Sequence, residues 1–184
     1  SVDDKVISFF PKDLPETVSE NLAALRVKDL LSMSVGNEKE PTQPVVHSED
    51  WVKTFLAQPI THTPGTHFMY NSAATYMCSA IVQKVTGQTV HDYLKSRLFA
   101  PLGITGTTWE TSPQGVNTGG WGLGITTEGL AKFGQLFLQK GKWKDRQIVP
   151  ATWVETATTT KIMQPEPAKP SRPTADNDWL QGYG

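Results

Sequence analysis

The sequence has one cysteine, no long apolar run and no excess of either charge over its 184 residues. The lone Cys78 excludes an internal disulfide, and its apolar surroundings favour a small core residue over a nucleophile. No segment approaches the roughly 20 apolar residues that a membrane-spanning helix requires. The 17 basic and 18 acidic residues nearly cancel and form no basic stripe, so we expect neither a membrane span nor nucleic acid binding.

Several catalytic and binding signatures are also missing. The sequence has no Gly-x-Ser-x-Gly nucleophile elbow, no Walker loop and no His-Glu-x-x-His or Cys/His pair. His62 and His67 lie five residues apart beside a turn, and we interpret all four histidines as structural or surface residues. The glycine-rich residues 119–122 lack phosphate-loop spacing and indicate close packing of the backbone. The mixed charges at 38–40 indicate a solvated turn, and we predict no metal and no cofactor.

The apolar pattern predicts a mainly helical chain with short extended pieces. The expected helices cover 27–35, a segment capped by Ser48 and stopped by Pro59, residues 72–86, residues 89–98, a segment with Thr127 as its N-cap and Gly141 as its C-cap, and a last helix from Pro150. Brief strands are expected at 68–70, near Trp109 and at 147–149. These strands are too short and scattered to form a sheet that stands alone. Four prolines between Pro165 and Pro173 indicate a connector.

The segment from residue 68 to residue 87 contains the candidate site. A Pro-Gly turn at 64–65 precedes a short aromatic strand, and Ser72 is a good N-cap for the buried helix that follows. Tyr70 therefore lies two residues before a hydroxyl at a helix N-terminus, where partial positive charge and free N–H donors favour a site. A tyrosine can act as a general base where cations lower its pKa from about 10. A core tyrosine bonded to a carbonyl explains these residues equally well.

Five ordered motifs resemble the serine β-lactamase and penicillin-binding protein family, in the branch of class C β-lactamases, DD-peptidases and esterases. The matching segments are residues 3–11, residues 27–36 with Met33 and Val35 at the usual histidine and serine, residues 64–72, residues 99–104 and residues 119–134. The resemblance covers roughly residues 3–160 and implies the helical domain of a two-domain α/β fold. Residues 1–163 would form this domain, and 164–184 would be a proline-rich connector leading toward a sheet.

The resemblance implies catalytic roles for Tyr70 and Ser72. Tyr70 would share protons with a serine nucleophile and its lysine partner, and Ser72 would bond that lysine or the substrate amide in place of the usual asparagine. Asn71 either turns away or, after a shift in register, is the substrate-binding amide. The implied substrate is a small acyl compound: a β-lactam, an ester or a D-amino peptide. Most relatives act outside the cytoplasm, which implies a periplasmic or extracellular location.

The family's other two motifs, Ser-x-x-Lys and Lys-Thr-Gly, are absent, since no serine has a lysine three residues later. We therefore expect a middle fragment of a serine hydrolase that is inactive by itself. Such a fragment would expose apolar surface and form oligomers or bind a complementing chain. The alternative is a non-catalytic binding module on the same helical scaffold. A Ser-x-x-Lys motif encoded upstream of Ser1 would favour the enzyme.

Overall fold

The structure is a computed structural model that describes residues 1–164 and 180–183. Nine α-helices lie in these residues: α1 Glu20–Ala24, α2 Val27–Leu31, α3 Thr42–Val46, α4 Trp51–Leu56, α5 Ser72–Thr86, α6 Val90–Leu94, α7 Ala100–Leu102, α8 Thr127–Leu138 and α9 Ala151–Thr158. A 3-10 helix spans Val6–Phe9, and a π-helix spans Lys95–Phe99. No helix in the described part of the chain has the length and apolar character needed to cross a bilayer.

The strands form three separate antiparallel pairs. They are β1 Thr108–Trp109 with β2 Leu123–Gly124, β3 Lys142–Trp143 with β4 Arg146–Gln147, and β5 Ile162–Met163 with β6 Leu180–Gln181. The register of the first pair places Thr108 opposite Gly124 and Trp109 opposite Leu123. A mainly helical chain with short strands is therefore confirmed.

Helix α5 lies at the centre of the larger of two apolar clusters. It contacts α2, α3, α4, α6 and the 3-10 helix. Ala73, Ala74 and Ala80 keep its buried face narrow, so neighbouring helices approach closely. Gly87 ends the helix in the left-handed conformation with φ 70°, as the sequence predicts. The smaller cluster joins Phe99 and neighbouring residues to α8.

Helices α4 and α8 each begin at a different cap from the one predicted. Asp50, not Ser48, caps α4, because its carboxylate accepts from the backbone N–H of Lys53 at 3.0 Å. Thr126, not Thr127, caps α8 through a 3.0 Å hydrogen bond from the N–H three residues later. In both helices the N-cap is the residue whose side chain accepts a hydrogen bond from the N–H three residues later, and the helix begins at the next residue.

Helix α2 ends at Leu31, four residues before the predicted end. The hydroxyl of Ser32 donates to the carbonyl of Lys28 at 2.9 Å, and Met33 adopts φ 52°, which helical residues do not have. The strand predicted at 68–70 is also absent. One backbone hydrogen bond, from Met69 N–H to Met33 O at 3.0 Å, connects that segment to the end of α2.

The predicted helix over 89–98 is longer than expected. Thr89 caps it as predicted, and its hydroxyl accepts from the N–H of Asp92 at 3.1 Å. The chain then continues through the π-helix into α7, and Gly103 ends the run with φ 64°. The helix end predicted at residue 98 was therefore placed too early.

The last described residues return to α9. Tyr183 donates its N–H to the carbonyl of Ala157 at 2.9 Å, and its ring stacks on Trp153 with centroids 5.9 Å apart. The prolines of the predicted connector, from 165 to 173, lie outside the described residues. The domain boundary at 163 stays a prediction.

Candidate functional site

The three candidate residues take different positions at the start of α5. The Tyr70 side chain is 60% exposed, Ser72 is partly buried, and Asn71 between them is 1% exposed. Asn71, not Ser72, caps α5, because its Oδ1 accepts from the N–H of Ala74 at 2.9 Å. The structure therefore directs Tyr70 outward and fixes Asn71 in the core.

A buried pair of amides holds Asn71. Its Nδ2 donates to Oδ1 of Asn37 at 3.1 Å, and Nδ2 of Asn37 donates to the carbonyl of Pro59 at 2.8 Å. Asn37 is 3% exposed, and the hydrogen bond between the two amides lies away from solvent. Because both polar atoms of the Asn71 amide are engaged within the protein, this side chain has a structural role at the start of α5.

The first N–H groups of α5 are occupied by side chains from a distant segment. The Ser72 N–H donates to Oε1 of Glu40 at 3.3 Å, and the Ala73 N–H donates to Oγ1 of Thr42 at 3.0 Å. The Thr42 N–H donates to Oε2 of Glu40 at 3.0 Å, and its hydroxyl also donates to this carboxylate. The free donors expected at this helix N-terminus are therefore taken.

Glu40 and Thr42 were not identified from the sequence as part of this site. The mixed charges at 38–40 indicated a solvated turn, whereas Glu40 is partly buried against α5. An acceptor pair spaced Glu-x-Thr is a local signal for capping, but nothing in the sequence indicates which helix it caps.

A cleft of about 490 Å³ opens beside the start of α5. It brings Tyr70 and Ser72 together and excludes Asn71. The lining residues are all uncharged: Thr42, Gln43, Val46, Trp51, Tyr70, Ser72, Gly120 and Trp121. The phenol of Tyr70 can move a proton, and the hydroxyl of Ser72 can donate or accept a hydrogen bond.

The glycine-rich loop forms one wall of this cleft. A Cβ at Gly119 would lie 2.5 Å from the carbonyl oxygen of Thr75. A Cβ at Gly120 would lie 2.4 Å from Oγ1 of Thr75 and 3.1 Å from the carbonyl oxygen of Ser72. The close backbone approach predicted for residues 119–122 is therefore confirmed, and the first turn of α5 is the surface that the loop contacts.

Trp121 lies at the end of this wall, and two hydrogen bonds to its carbonyl group hold its backbone in place. The carbonyl oxygen accepts from Nε1 of Trp109 at 2.9 Å and from Oγ1 of Thr118 at 2.6 Å. Its ring lies 5.9 Å from the ring of Trp51, which is 7% exposed. Trp51 in turn meets Tyr76 edge to face at 5.0 Å, so the aromatic wall is continuous with the core.

Two groups on α5 have raised pKa values. Burial raises the pKa of the Cys78 thiol to about 12, so this cysteine stays protonated at neutral pH and cannot act as a thiolate nucleophile. Burial also raises the pKa of Tyr76, whose hydroxyl donates to Ser112 Oγ at 3.2 Å. Neither group belongs to the Tyr70 cleft, and Cys78 packs against the larger core cluster.

His62 and His67 form a pair on the surface, apart from the cleft. Their rings stack with centroids 4.3 Å apart, and Nε2 of His62 lies 2.8 Å from Oε2 of Glu38. Within residues 1–164 and 180–183, no group of three or more His, Cys, Asp or Glu side chains could hold a metal ion.

A known protein family matches the chain along nearly its whole length. The family model described as Beta-lactamase matches residues 1–182. An Escherichia coli K12 protein named "Putative D-alanyl-D-alanine carboxypeptidase" is 27% identical over 124 residues, which are 61% of this chain and 29% of that protein. The "Lovastatin esterase" of Penicillium rubens is 35% identical over 54 residues, which are 29% of this chain and 13% of the esterase. The chain thus spans less than a third of each of these relatives.

Solved structures share the fold. The octameric penicillin-binding protein homologue from Pyrococcus abyssi matches with a TM-score of 0.66 and 20% sequence identity. The match covers 100% of this chain and 46% of that chain. At this identity the likeness concerns the fold alone.

Proposed function

The chain belongs to the Beta-lactamase family, and we propose that it supplies the tyrosine-bearing wall of a serine acyl hydrolase active site. One observation carries the proposal. The Tyr70 phenol is 60% exposed beside the cleft that Ser72 also lines, while Asn71 between them is fixed in the core. A core tyrosine would be buried with its hydroxyl bonded, as Tyr76 is.

In the proposed reaction a serine hydroxyl attacks the carbonyl carbon of an ester or amide. A carbon–oxygen bond forms, the bond to the leaving group breaks, and the hydroxyl proton moves to the leaving group. Tyr70 carries this proton from the serine oxygen to the oxygen or nitrogen of the leaving group, because its phenol is exposed and can both accept and donate a proton. The hydroxyl of Ser72, in the same cleft, orients the lysine partner or the substrate amide through a hydrogen bond.

Substrate class follows from the relatives and stays a proposal for this chain. One relative is named as a carboxypeptidase and another as an esterase, so both amides and esters are represented among proteins of similar sequence. We infer a small acyl compound as the substrate.

The 184 residues contain no Ser-x-x-Lys motif, and no lysine or arginine lines the cleft. We therefore infer that the nucleophile and its ammonium partner come from outside these residues, and that this chain alone does not turn over substrate. A chromogenic cephalosporin and a p-nitrophenyl ester, each incubated with the purified chain, should be hydrolysed no faster than in buffer. Hydrolysis at enzymatic rates that Tyr70→Phe abolishes would overturn this inference.

The role of Tyr70 is tested in a gene product in which Ser-x-x-Lys precedes Ser1. Tyr70→Phe should lower kcat for ester hydrolysis by about 100-fold or more, because a general acid–base group contributes about 10²–10⁴-fold. Tyr93→Phe is the matched control, since its ring packs under the guanidinium of Arg97 on another helix. Equal activity of the Tyr70→Phe and Tyr93→Phe variants would contradict the proposal.

The occupied N-terminus of α5 supports a second function, that of a non-catalytic binding module. Its donors are satisfied by Glu40 and Thr42, and the cleft has no charged lining residue. Such a module would bind a small acyl compound without turning it over. Saturable binding with no turnover, in a gene product without Ser-x-x-Lys upstream of Ser1, would favour it.

A further inference from the structure

The lining of the Tyr70 cleft is aromatic. Trp51, Tyr70 and Trp121 contribute rings, Val46 contributes an aliphatic side chain, and every other lining residue is a glycine or is polar and uncharged. The cleft holds about 490 Å³, which is enough for a ring with a short substituent. Aromatic walls favour flat partners, because rings stack or meet edge to face with an energy beyond that of apolar burial.

Trp121 presents its ring from a fixed backbone. Two hydrogen bonds hold its carbonyl oxygen, and Gly120 brings the backbone to within contact of Thr75 and Ser72. Its ring is partly buried and lies beside Trp51. Because the ring is positioned before any ligand arrives, little conformational entropy is lost on binding.

The electrostatics of the cleft favour a neutral guest. An anion at the start of α5 would need free N–H donors, but the Ser72 and Ala73 N–H groups already bond Glu40 and Thr42. A cation would find no acidic side chain in the lining.

We propose that this cleft selects a neutral, flat aromatic group of the acyl substrate, with Trp121 as the main specificity-determining residue. The inference rests on the proposed function, since it names the part of the substrate that the Tyr70 cleft receives. It concerns binding only and requires no turnover, so it can be tested on the 184-residue chain.

The experiment is a titration followed by NMR of the indole N–H groups, with phenylacetamide as the probe. Phenylacetate differs by one charged group and acetamide lacks the ring, so these two compounds are the matched controls. Phenylacetamide should shift the Trp51 and Trp121 signals saturably, and its Kd should be at least 10-fold lower than that of either control. The Trp143 signal should not move, because this residue packs against the smaller cluster.

Two variants make the result specific to Trp121. Trp121→Ala and Trp121→Leu should each weaken phenylacetamide binding at least 5-fold, and the leucine variant should keep the denaturation midpoint of the parent chain. The proposal is overturned by the absence of saturable shifts, by equal affinity for phenylacetate or acetamide, or by unchanged affinity in Trp121→Leu. A failed Tyr70 experiment with intact aromatic binding would refute the catalytic role and leave this cleft assignment standing.

Discussion

At the scale of single residues, the candidate motif divides between the cleft and the core. Tyr70 and Ser72 line the cleft, whereas Asn71 uses its amide to cap α5 and to bond Asn37. The sequence predicted Tyr70 and Ser72 as a pair, but it could not separate Asn71 from Ser72 as the cap, since asparagine and serine are both favoured N-caps. In the structure the helix begins at Ser72, so Asn71 occupies the N-cap position.

Asn71→Ala should lower the free energy of unfolding by about 2–3 kcal/mol, because it removes a cap and leaves the buried amide of Asn37 short of a partner. Ser72→Ala should change the free energy by less than about 0.5 kcal/mol, because no hydrogen bond within the described residues uses the Ser72 hydroxyl. Urea denaturation followed by circular dichroism measures both. Similar losses for the two variants would show that the serine, too, is structural.

At the scale of elements, the helices were easier to predict than their ends. The apolar spacing located α5 and α8, but it did not locate the end of α2 or the end of the helical run beyond α6. The contacts of Glu40 and Thr42 with α5 could not be predicted, because each contact joins two residues that are more than 30 positions apart in the sequence: 32 for Glu40 and 31 for Thr42. The glycine-rich loop gave a correct signal for close approach but none for the surface that it approaches.

The packing of this loop is tested by comparing a crowded glycine in the loop with an uncrowded glycine in α8. Gly120→Ala should lower the free energy of unfolding by about 1–3 kcal/mol, since its Cβ would lie 2.4 Å from Thr75 Oγ1. Gly134→Ala in α8 should raise it by about 0.5–1 kcal/mol, because nothing lies within 4 Å and alanine favours the helix. Thermal melts of both variants check this prediction. A stabilised Gly120→Ala variant would contradict the described packing.

At the scale of the whole molecule, α8 leaves an apolar face uncovered. Leu130 is 60% exposed, Phe133 37% and Leu138 78%, while the rings of Phe133 and Phe137 lie 4.9 Å apart. Leu136 on another side of the same helix is fully buried. The exposed apolar surface expected from the sequence is thus found on α8, and the association that it would cause stays a prediction.

Leu130→Glu should reduce self-association of the 184-residue chain, because it places a charge in the exposed face of α8. Val85→Glu is the control, since Val85 is 67% exposed but stands near the end of α5, on another helix. Sedimentation velocity over a range of concentrations should show a lower average mass for the first variant only. A monomeric parent chain at every concentration would refute the expected association.

The buried amide of Asn71 also has an evolutionary consequence. Its residue supplies both a helix cap and a buried hydrogen bond, so a change there weakens folding and is removed by selection before any new activity can be sampled. Codons 70 and 72 on either side encode side chains that face the cleft, and they are free of this coupling. A library randomised over the three codons and selected for folding alone should therefore recover diversity at the outer two and asparagine at the middle one.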